Sequence, residues 1–243
     1  MSARQRADRL LVERGIFETR ARAQAAIAAG LVTADDSIVR KASEPLSVDA
    51  RLDAQPAHPW VSRGGVKLAA ALDHFGISPE GLLCLDVGAA TGGFTDVLLA
   101  RGARRVTAVD VGRDQLHPTL RGRPEVASLE ATDIRRLHPA SAGGPFDLVV
   151  VDVSFIPLKL VLPAALALAA RSAALIALIK PQFEVGRGRR KQGVVRDTAE
   201  QQRVCEDVAA LVVSLGWSVQ GVMPSPILGG AGNSEFLLGA RRD

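Results

Sequence analysis

Residues 82–95 read Leu82-Leu83-Cys84-Leu85-Asp86-Val87-Gly88-Ala89-Ala90-Thr91-Gly92-Gly93-Phe94-Thr95 and change character twice. The apolar run Leu82 to Val87 lacks polar alternation, as expected of a parallel strand covered on both faces. A glycine-rich turn follows, and Thr95 to Ala100 then reads as a helix. Apolar runs recur at Val106 to Val109, Leu148 to Val151 and Leu175 to Ile179, with helical stretches such as Leu158 to Ala170 between them. The pattern predicts a doubly wound α/β domain, in which ligands sit at the carboxyl ends of the strands.

The turn narrows the ligand. A dinucleotide loop needs Gly-x-Gly-x-x-Gly, whereas Gly88 is followed by three other residues before Gly92. A phosphate-binding P-loop needs Gly-Lys-Ser or Gly-Lys-Thr, and the turn has no lysine. Asp86 would repel phosphate and suits a ligand with positive charge, such as a sulfonium and an α-amino group. The second strand closes with Asp110, placed to accept from two ribose hydroxyls, and Asp133 after the third strand suits an adenine amino group. Singly, each acid could equally cap a helix. In this order they resemble the S-adenosylmethionine site of class I methyltransferases, over about Leu82 to Ile179.

Methyl transfer needs an acceptor made nucleophilic and held in line with the sulfur. An amino acceptor would call for Asn-Pro-Pro-Tyr or Asp-Pro-Pro-Tyr, and the chain has no tyrosine. A cysteine nucleophile should stand in a loop, but Cys84 lies in the first strand and Cys205 in a predicted helix. The fourth strand instead ends in Val151-Asp152-Val153-Ser154-Phe155 and the fifth in Ile179-Lys180-Pro181-Gln182-Phe183-Glu184. Lys180 either snorkels from a core strand or, partly buried beside a second cation, supplies a neutral amine that takes a proton from a hydroxyl. Lys67, in Ser62-Arg63-Gly64-Gly65-Val66-Lys67-Leu68, is the candidate second cation, and Glu235, in Gly232-Asn233-Ser234-Glu235-Phe236, is expected on a late strand.

The chain as a whole is a globular sequence of 243 residues, 47% hydrophobic and 23% charged, long enough for one large domain or a large one plus a small one. Two cysteines cannot staple it, and a reducing cytoplasmic setting is expected. Met1 to Arg14 carries neither a signal nor an anchor pattern. Leu160 to Ile179 is apolar but broken by Pro163, Arg171 and Ser172, which favours a buried helix and strand over a membrane span. The formal charge of +4 and a pI near 9.6 suggest a polyanionic partner. Lysines number 5 against 25 arginines, so a lysine at a strand end stands out.

Prolines at 56 and 59 mark a boundary, giving domains 1–55 and 62–243 with a linker at 56–61. In the first, Ala7 to Arg14 reads as a helix ended by Gly15. Thr19 caps a second helix, Arg20 to Ala29, closed by Gly30. Leu31 to Thr33 and Ile38 to Val39 flank a turn at Asp35-Asp36-Ser37. Arginines crowd the helices, as a solvated face or an RNA contact. The segment resembles the S4 RNA-binding domain, carried by Ala21 to Val32, although Asp36-Ser37 replaces the usual Asp-Gly.

Lys67, Asp152, Lys180 and Glu235, in that order, resemble the tetrad of FtsJ-type ribose 2′-O-methyltransferases. With the S4-like segment in front, the chain is similar to the TlyA (haemolysin A) family over nearly its whole length. The resemblance implies transfer from S-adenosylmethionine to cytidine 2′-hydroxyls of 16S and/or 23S ribosomal RNA. Lys180 would activate the hydroxyl, Asp152 and Glu235 would position Lys180 and Lys67, and Lys67 would hold the substrate or stabilise negative charge. Cofactor contacts are expected at Asp86, Gly88, Ala89, Thr91, Gly92, Gly93, Phe94, Thr95, Asp110, Val111, Asp133 and Ile134, the Phe94 ring packing on the methionyl chain or adenine. RNA contacts are expected at Arg4, Arg6, Arg20, Arg22, Arg63, Arg189 and Arg190, the last two in the basic run Gly186 to Arg196, which could otherwise be a solvated loop. The expected partners are ribosomal RNA and ribosomal subunits, with no membrane, no metal and a monomeric chain. An assembly factor that binds the ribosome without essential catalysis is the alternative, and a membrane-lytic protein the third reading.

Overall fold

The computed structural model describes residues 3–185 and 194–243, so Arg189 and Arg190 lie outside the described residues. The chain divides into two compact units, Met1–Pro59 and Trp60–Asp243.

The first unit holds β1 (Arg4–Arg6), α1 (Ala7–Glu13), α2 (Arg20–Ala28), β2 (Val32–Ala34), β3 (Ser37–Ile38), β4 (Pro45–Ser47) and β5 (Leu52–Ala54). Both expected helices form, and Thr19 Oγ1 accepts from Arg22 N at 3.3 Å at the start of α2. Strand β1 pairs antiparallel with β4, and β2 lies between β3 and β5. Strands β1, β4 and β5 have three residues each, and Arg4-Gln5-Arg6 carries no apolar side chain to announce it. The hairpin turn centres on Asp35 and Asp36, with φ of 48° and 62°. Left-handed backbone at both central positions matches the twist of a tight hairpin, and aspartate tolerates it better than most residues. The strand therefore resumes at Ser37. Leu10, Leu11, Phe17, Ile27 and Val32 make the core.

The second unit is built on β6 (Leu83–Val87), β7 (Arg105–Val109), β8 (Val126–Leu129), β9 (Phe146–Val151), β10 (Ala169–Ile179), β11 (Ser218–Pro224) and β12 (Phe236–Arg242), in the spatial order β11-β12-β10-β9-β6-β7-β8. Strands β6 to β10 are mutually parallel, and β12 runs antiparallel to both its neighbours. Successive side chains of the central strands enter opposite layers. Leu85, Val87, Val149, Val151 and Leu175 join one core, and Cys84, Val106, Leu148, Val150 and Ile176 the other. Helices α3 (Gly64–Phe75) and α4 (Gly93–Ala100) pack on the second face, and α8 (Thr198–Ser214) on the first. Between them in sequence lie α5 (Pro139–Ala142), α6 (Leu162–Ala167) and α7 (Pro181–Glu184).

The expected helix Leu158 to Ala170 is corrected. A 3-10 turn at Leu158–Leu160 leads to α6, and β10 already begins at Ala169. Pro163, at the first turn of α6, lacks an N–H and tolerates only a helix start, while pairing with β9 at Ala169 and with β12 from Ala173 draws the alanine-rich 169–174 stretch into the sheet. Trp60 and Val61 belong to the second unit. Val61 N donates to Asp96 Oδ2 at 2.9 Å, and a Cβ on Gly65 would lie 2.4 Å from the Trp60 ring. No helix of the described residues is long and apolar enough to cross a membrane.

Candidate active site

Strands β6 and β9 are neighbours, with β7 on the far side of β6, so the sheet order reverses between them. Such a switch point opens a crevice at the carboxyl ends. Gly88 makes the crevice tight. Its φ is +84°, and a Cβ there would sit 2.3 Å from the Asp152 carbonyl oxygen. Asp152 N donates to Val87 O at 2.9 Å, which fixes the end of β9 against the glycine turn.

A cavity of about 480 Å³ opens here, lined by Gly88, Asp110, Val111, Asp133 and Ile134 among the expected cofactor residues, together with Asp152, Ser154 and Phe155. Asp110 is held by two backbone donors, Ala90 N to Oδ2 at 2.8 Å and Gly112 N to Oδ1 at 2.7 Å. Arg135 grips Asp133 at 2.6 Å and holds its carboxyl below the usual range, leaving an ionised acceptor at the cavity wall. Ala90, Gln115, Arg135, Val153 and Ile156 also line the cavity and were not singled out from sequence.

Ala89, Thr91, Gly92, Gly93, Phe94, Thr95 and Asp86 are not among the lining residues. The Phe94 ring is 3% exposed and belongs to the core cluster with Leu68 and Leu98. A buried ring next to a glycine turn satisfies the same apolar pattern as a ligand-facing one. Gly93 is a close-approach position, since a Cβ there would meet Ser62 Oγ at 2.1 Å.

Asp86 is fully buried, and Thr95 Oγ1 donates to its Oδ2 at 2.7 Å. Burial pushes its carboxyl from 3.8 up to about 7, opposed by the Thr95 hydrogen bond and aided by the Asp152 and Asp110 charges. Between about pH 4 and pH 7 the folded state therefore holds a proton that the unfolded chain has released. The contribution of Asp86 to stability is full below about pH 4 and is lost as pH rises through about 7. Thermal melts of wild type and Asp86→Asn should show the wild-type Tm falling relative to the variant across that window. A pH-independent difference would contradict this assignment. Cys84 and Cys205 are buried, with thiols pushed up to about 12 and about 11 by desolvation, which fits core roles.

The four candidate catalytic residues form two pairs. Lys180 Nζ lies 2.5 Å from Asp152 Oδ1, and Lys67 Nζ lies 2.5 Å from Glu235 Oε2. Sheet register brings the pairs to one edge. Ile179 pairs with Phe236 across β10 and β12, so Lys180 and Glu235 occupy the next positions of adjoining strands. Asp152 follows Val151, the residue of β9 that pairs with Ala177 of β10. Lys67 comes from the first turn of α3. Glu235 stands one residue before β12 instead of within it, and its carboxylate occupies the space that a Cβ on Gly229 would take. Lys67, Lys180 and Glu235 are all buried, at 9%, 8% and 4% exposure. Lys67, expected as the second cation beside Lys180, is held by Glu235, and Lys180 by Asp152, so each lysine has its own carboxylate.

Two residues at this edge escaped the sequence reading. Lys180 Nζ donates to Ser154 Oγ at 2.9 Å. Phe155 is 90% exposed with φ of +67°, its ring centroid 5.0 Å from that of Phe183. Left-handed backbone is costly for a bulky residue, and an exposed large ring is costly in water. Both features at one cavity-lining residue make Phe155 a candidate functional position.

In the first unit, Asp8 is fully buried and accepts from Arg6, Arg20 and Gln24, the Arg20 contact at 2.7 Å and the Gln24 contact at 2.8 Å. The Arg6 hydrogen bond, followed by those of Arg20 and Gln24, holds its carboxyl well below the usual range against the cost of burial. Arg6 and Arg20 remain about half exposed, with donors left over for a phosphate. Arg4 is exposed on β1, Arg22 pairs with Glu18 at 3.4 Å, and Arg63 is exposed at the start of α3.

A sheet of this order, with a glycine turn after its first strand and acids beyond the second and third, defines a Rossmann-like methyltransferase domain. The sequence profile of the FtsJ-like methyltransferases matches residues 60–242, and that of the S4 domain matches residues 5–52. The chain belongs to the TlyA family within the FtsJ-like methyltransferases, being 46% identical over 246 residues to the 16S/23S rRNA (cytidine-2′-O)-methyltransferase TlyA of Mycobacterium tuberculosis, with 99% of this chain and 91% of that one covered. It is also 35% identical over 234 residues to hemolysin A of Brachyspira hyodysenteriae, covering 96% and 98% of the two chains. A solved hemolysin candidate from Streptococcus thermophilus matches with a TM-score of 0.78 at 40% identity, over 100% of this chain and 90% of that one.

Proposed function

We propose that the chain transfers the methyl group of S-adenosylmethionine to the ribose 2′-hydroxyl of a cytidine in ribosomal RNA. The observation that carries this reading is the pair of lysine–carboxylate contacts, each made by a buried lysine, at the sheet edge that also bounds the cavity. The cavity suits a nucleoside. Val111, Ile134, Val153 and Ile156 offer apolar walls for a flat ring, while Asp110 and Asp133 offer acceptors for ribose hydroxyls and an amino group. The bound donor would supply a methyl carbon on a cationic sulfur. The work of the chain is to hold the ribose oxygen in line with that carbon and to remove its proton.

Lys180 Nζ takes that proton in this reading. As the proton moves, positive charge develops 2.5 Å from the Asp152 carboxylate, which is fixed in place to stabilise it. Lys67, tethered by Glu235, provides a cation for the oxygen as it becomes electron-rich. The exposed Phe155 ring provides a stacking face for a base drawn out of the RNA.

Phe155→Ala should raise the KM for RNA about 10-fold or more, since base–aromatic stacking contributes about 1–3 kcal/mol. The Kd for the donor should stay within about 2-fold. Steady-state kinetics and calorimetry measure the two, and an unchanged RNA KM would remove Phe155 from the substrate site. The reading as a whole is tested by incubating the chain with methyl-labelled S-adenosylmethionine and separated ribosomal subunits. Label should appear in the RNA, and an absence of label in RNA from either subunit would overturn it.

A further inference from the structure

We infer that Ser154 is a positioning residue that aims the lone pair of Lys180 at the acceptor hydroxyl; the inference rests on the methyl transfer proposed above. Lys180 Nζ has two polar neighbours of different kinds. Ser154 Oγ accepts an aligned hydrogen bond at 2.9 Å. Asp152 Oδ1 is closer, at 2.5 Å, but the contact is an ion pair without hydrogen-bond alignment, and Oδ1 has no aligned donor among the described residues. Asp152 therefore supplies charge, and Ser154 supplies direction.

The number of bonding positions on the nitrogen makes this consequential. A lysine ammonium has three N–H groups, and the neutral amine has two N–H groups and one lone pair. With one N–H fixed on Ser154 and the Asp152 charge drawing the remaining N–H to its side through the field alone, the lone pair is left with the third position. Asp152 and Ser154 both line the cavity, while the amine they hold is only 8% exposed. Rotation about the Cε–Nζ bond would otherwise interchange the three positions, and without Ser154 nothing directional would keep the lone pair on the substrate side. In the step itself, a lone pair of the 2′-oxygen forms the new O–C bond and the C–S pair stays with sulfur. The hydroxyl proton bonds to the Nζ lone pair. Atoms and charge balance without any further reactant.

Ser154 is exposed, so Ser154→Ala should fold as wild type does. The full-length Ser154→Ala and Ser154→Thr variants should separate positioning from bulk structure. For Ser154→Ala, kcat should fall about 10- to 100-fold, part of the roughly 10²–10⁴-fold that a positioned acid or base contributes. The KM values for donor and RNA should remain within about 2-fold. Ser154→Thr keeps the hydroxyl and should recover most of kcat. An independent readout is ¹³Cε relaxation in lysine-labelled protein, where only 5 lysines need assignment. The Lys180 signal should be ordered in wild type and Ser154→Thr and mobile in Ser154→Ala. Wild-type kcat in Ser154→Ala, failure of threonine to rescue, or an equally ordered Lys180 in all three proteins would overturn the inference. A wild-type chain that transfers no methyl would instead overturn the functional reading, and the relaxation data would still decide whether Ser154 holds the amine.

Discussion

Lys180→Met should abolish methyl transfer, with kcat reduced by about 10²–10⁴-fold or more, while donor binding and fold persist. Methionine matches the length of the lysine stem and removes only the amine. The partner left behind, Asp152, is partly exposed, with a side chain 21% accessible, so water can solvate it and the stability cost should be modest. Single-turnover transfer and calorimetric titration of the donor separate chemistry from binding. A variant with a near-normal transfer rate would show that another group takes the proton. A variant that bound the donor weakly would move Lys180 from the acceptor side of the site to the cofactor side.

Lys67→Met should cost both activity and stability, because here the partner has no access to water. Glu235 is 4% exposed, and removing its cation leaves a buried, uncompensated charge. Breaking such a pair costs about 3–5 kcal/mol, which for a domain of this size lowers Tm by about 10 °C. The double variant Lys67→Met with Glu235→Leu replaces both charges by apolar groups. It should recover most of the lost Tm, since well-packed hydrophobic replacements of buried pairs are often neutral or stabilising. Activity should stay lost, and this divergence separates catalysis from scaffolding. Recovery of transfer along with Tm would mean that the Lys67–Glu235 pair only supports the fold. Melting curves and transfer rates on wild type, Lys67→Met, Glu235→Leu and the double variant measure the outcome.

The central strands were legible because β6, β9 and β10 are covered on both faces, which leaves apolar runs in the sequence. Alanine-rich Ala169 to Ala174 was not, since alanine favours helix until a neighbouring strand pairs with it. Four chemical residues could be named from motif order, but their meeting in space is set by the adjacency of β9, β10 and β12 and by α3 packed beside them, far apart in sequence. Phe94 and Phe155 show the remaining difficulty. Both follow glycine or strand-end signals, yet one is 3% exposed and the other 90%, and only the packing of α4 and the backbone of Phe155 distinguish them. Ser154 gave no signal, because a serine after a strand is ordinary loop composition. The Asp35-Asp36 turn is a milder case, where aspartate takes the left-handed backbone usually left to glycine.

The most direct measurement is the chemical identity of the methylated nucleoside. After incubation of the chain with labelled S-adenosylmethionine and ribosomal subunits, the RNA is digested to nucleosides and separated by mass. The label should be found in 2′-O-methylcytidine, with alkali-resistant linkages at the same position and with no label from Lys180→Met. Label on a cytosine base, or on a ribose at undiminished yield with Lys180→Met, would contradict a sugar-directed reaction driven by the Lys180 amine.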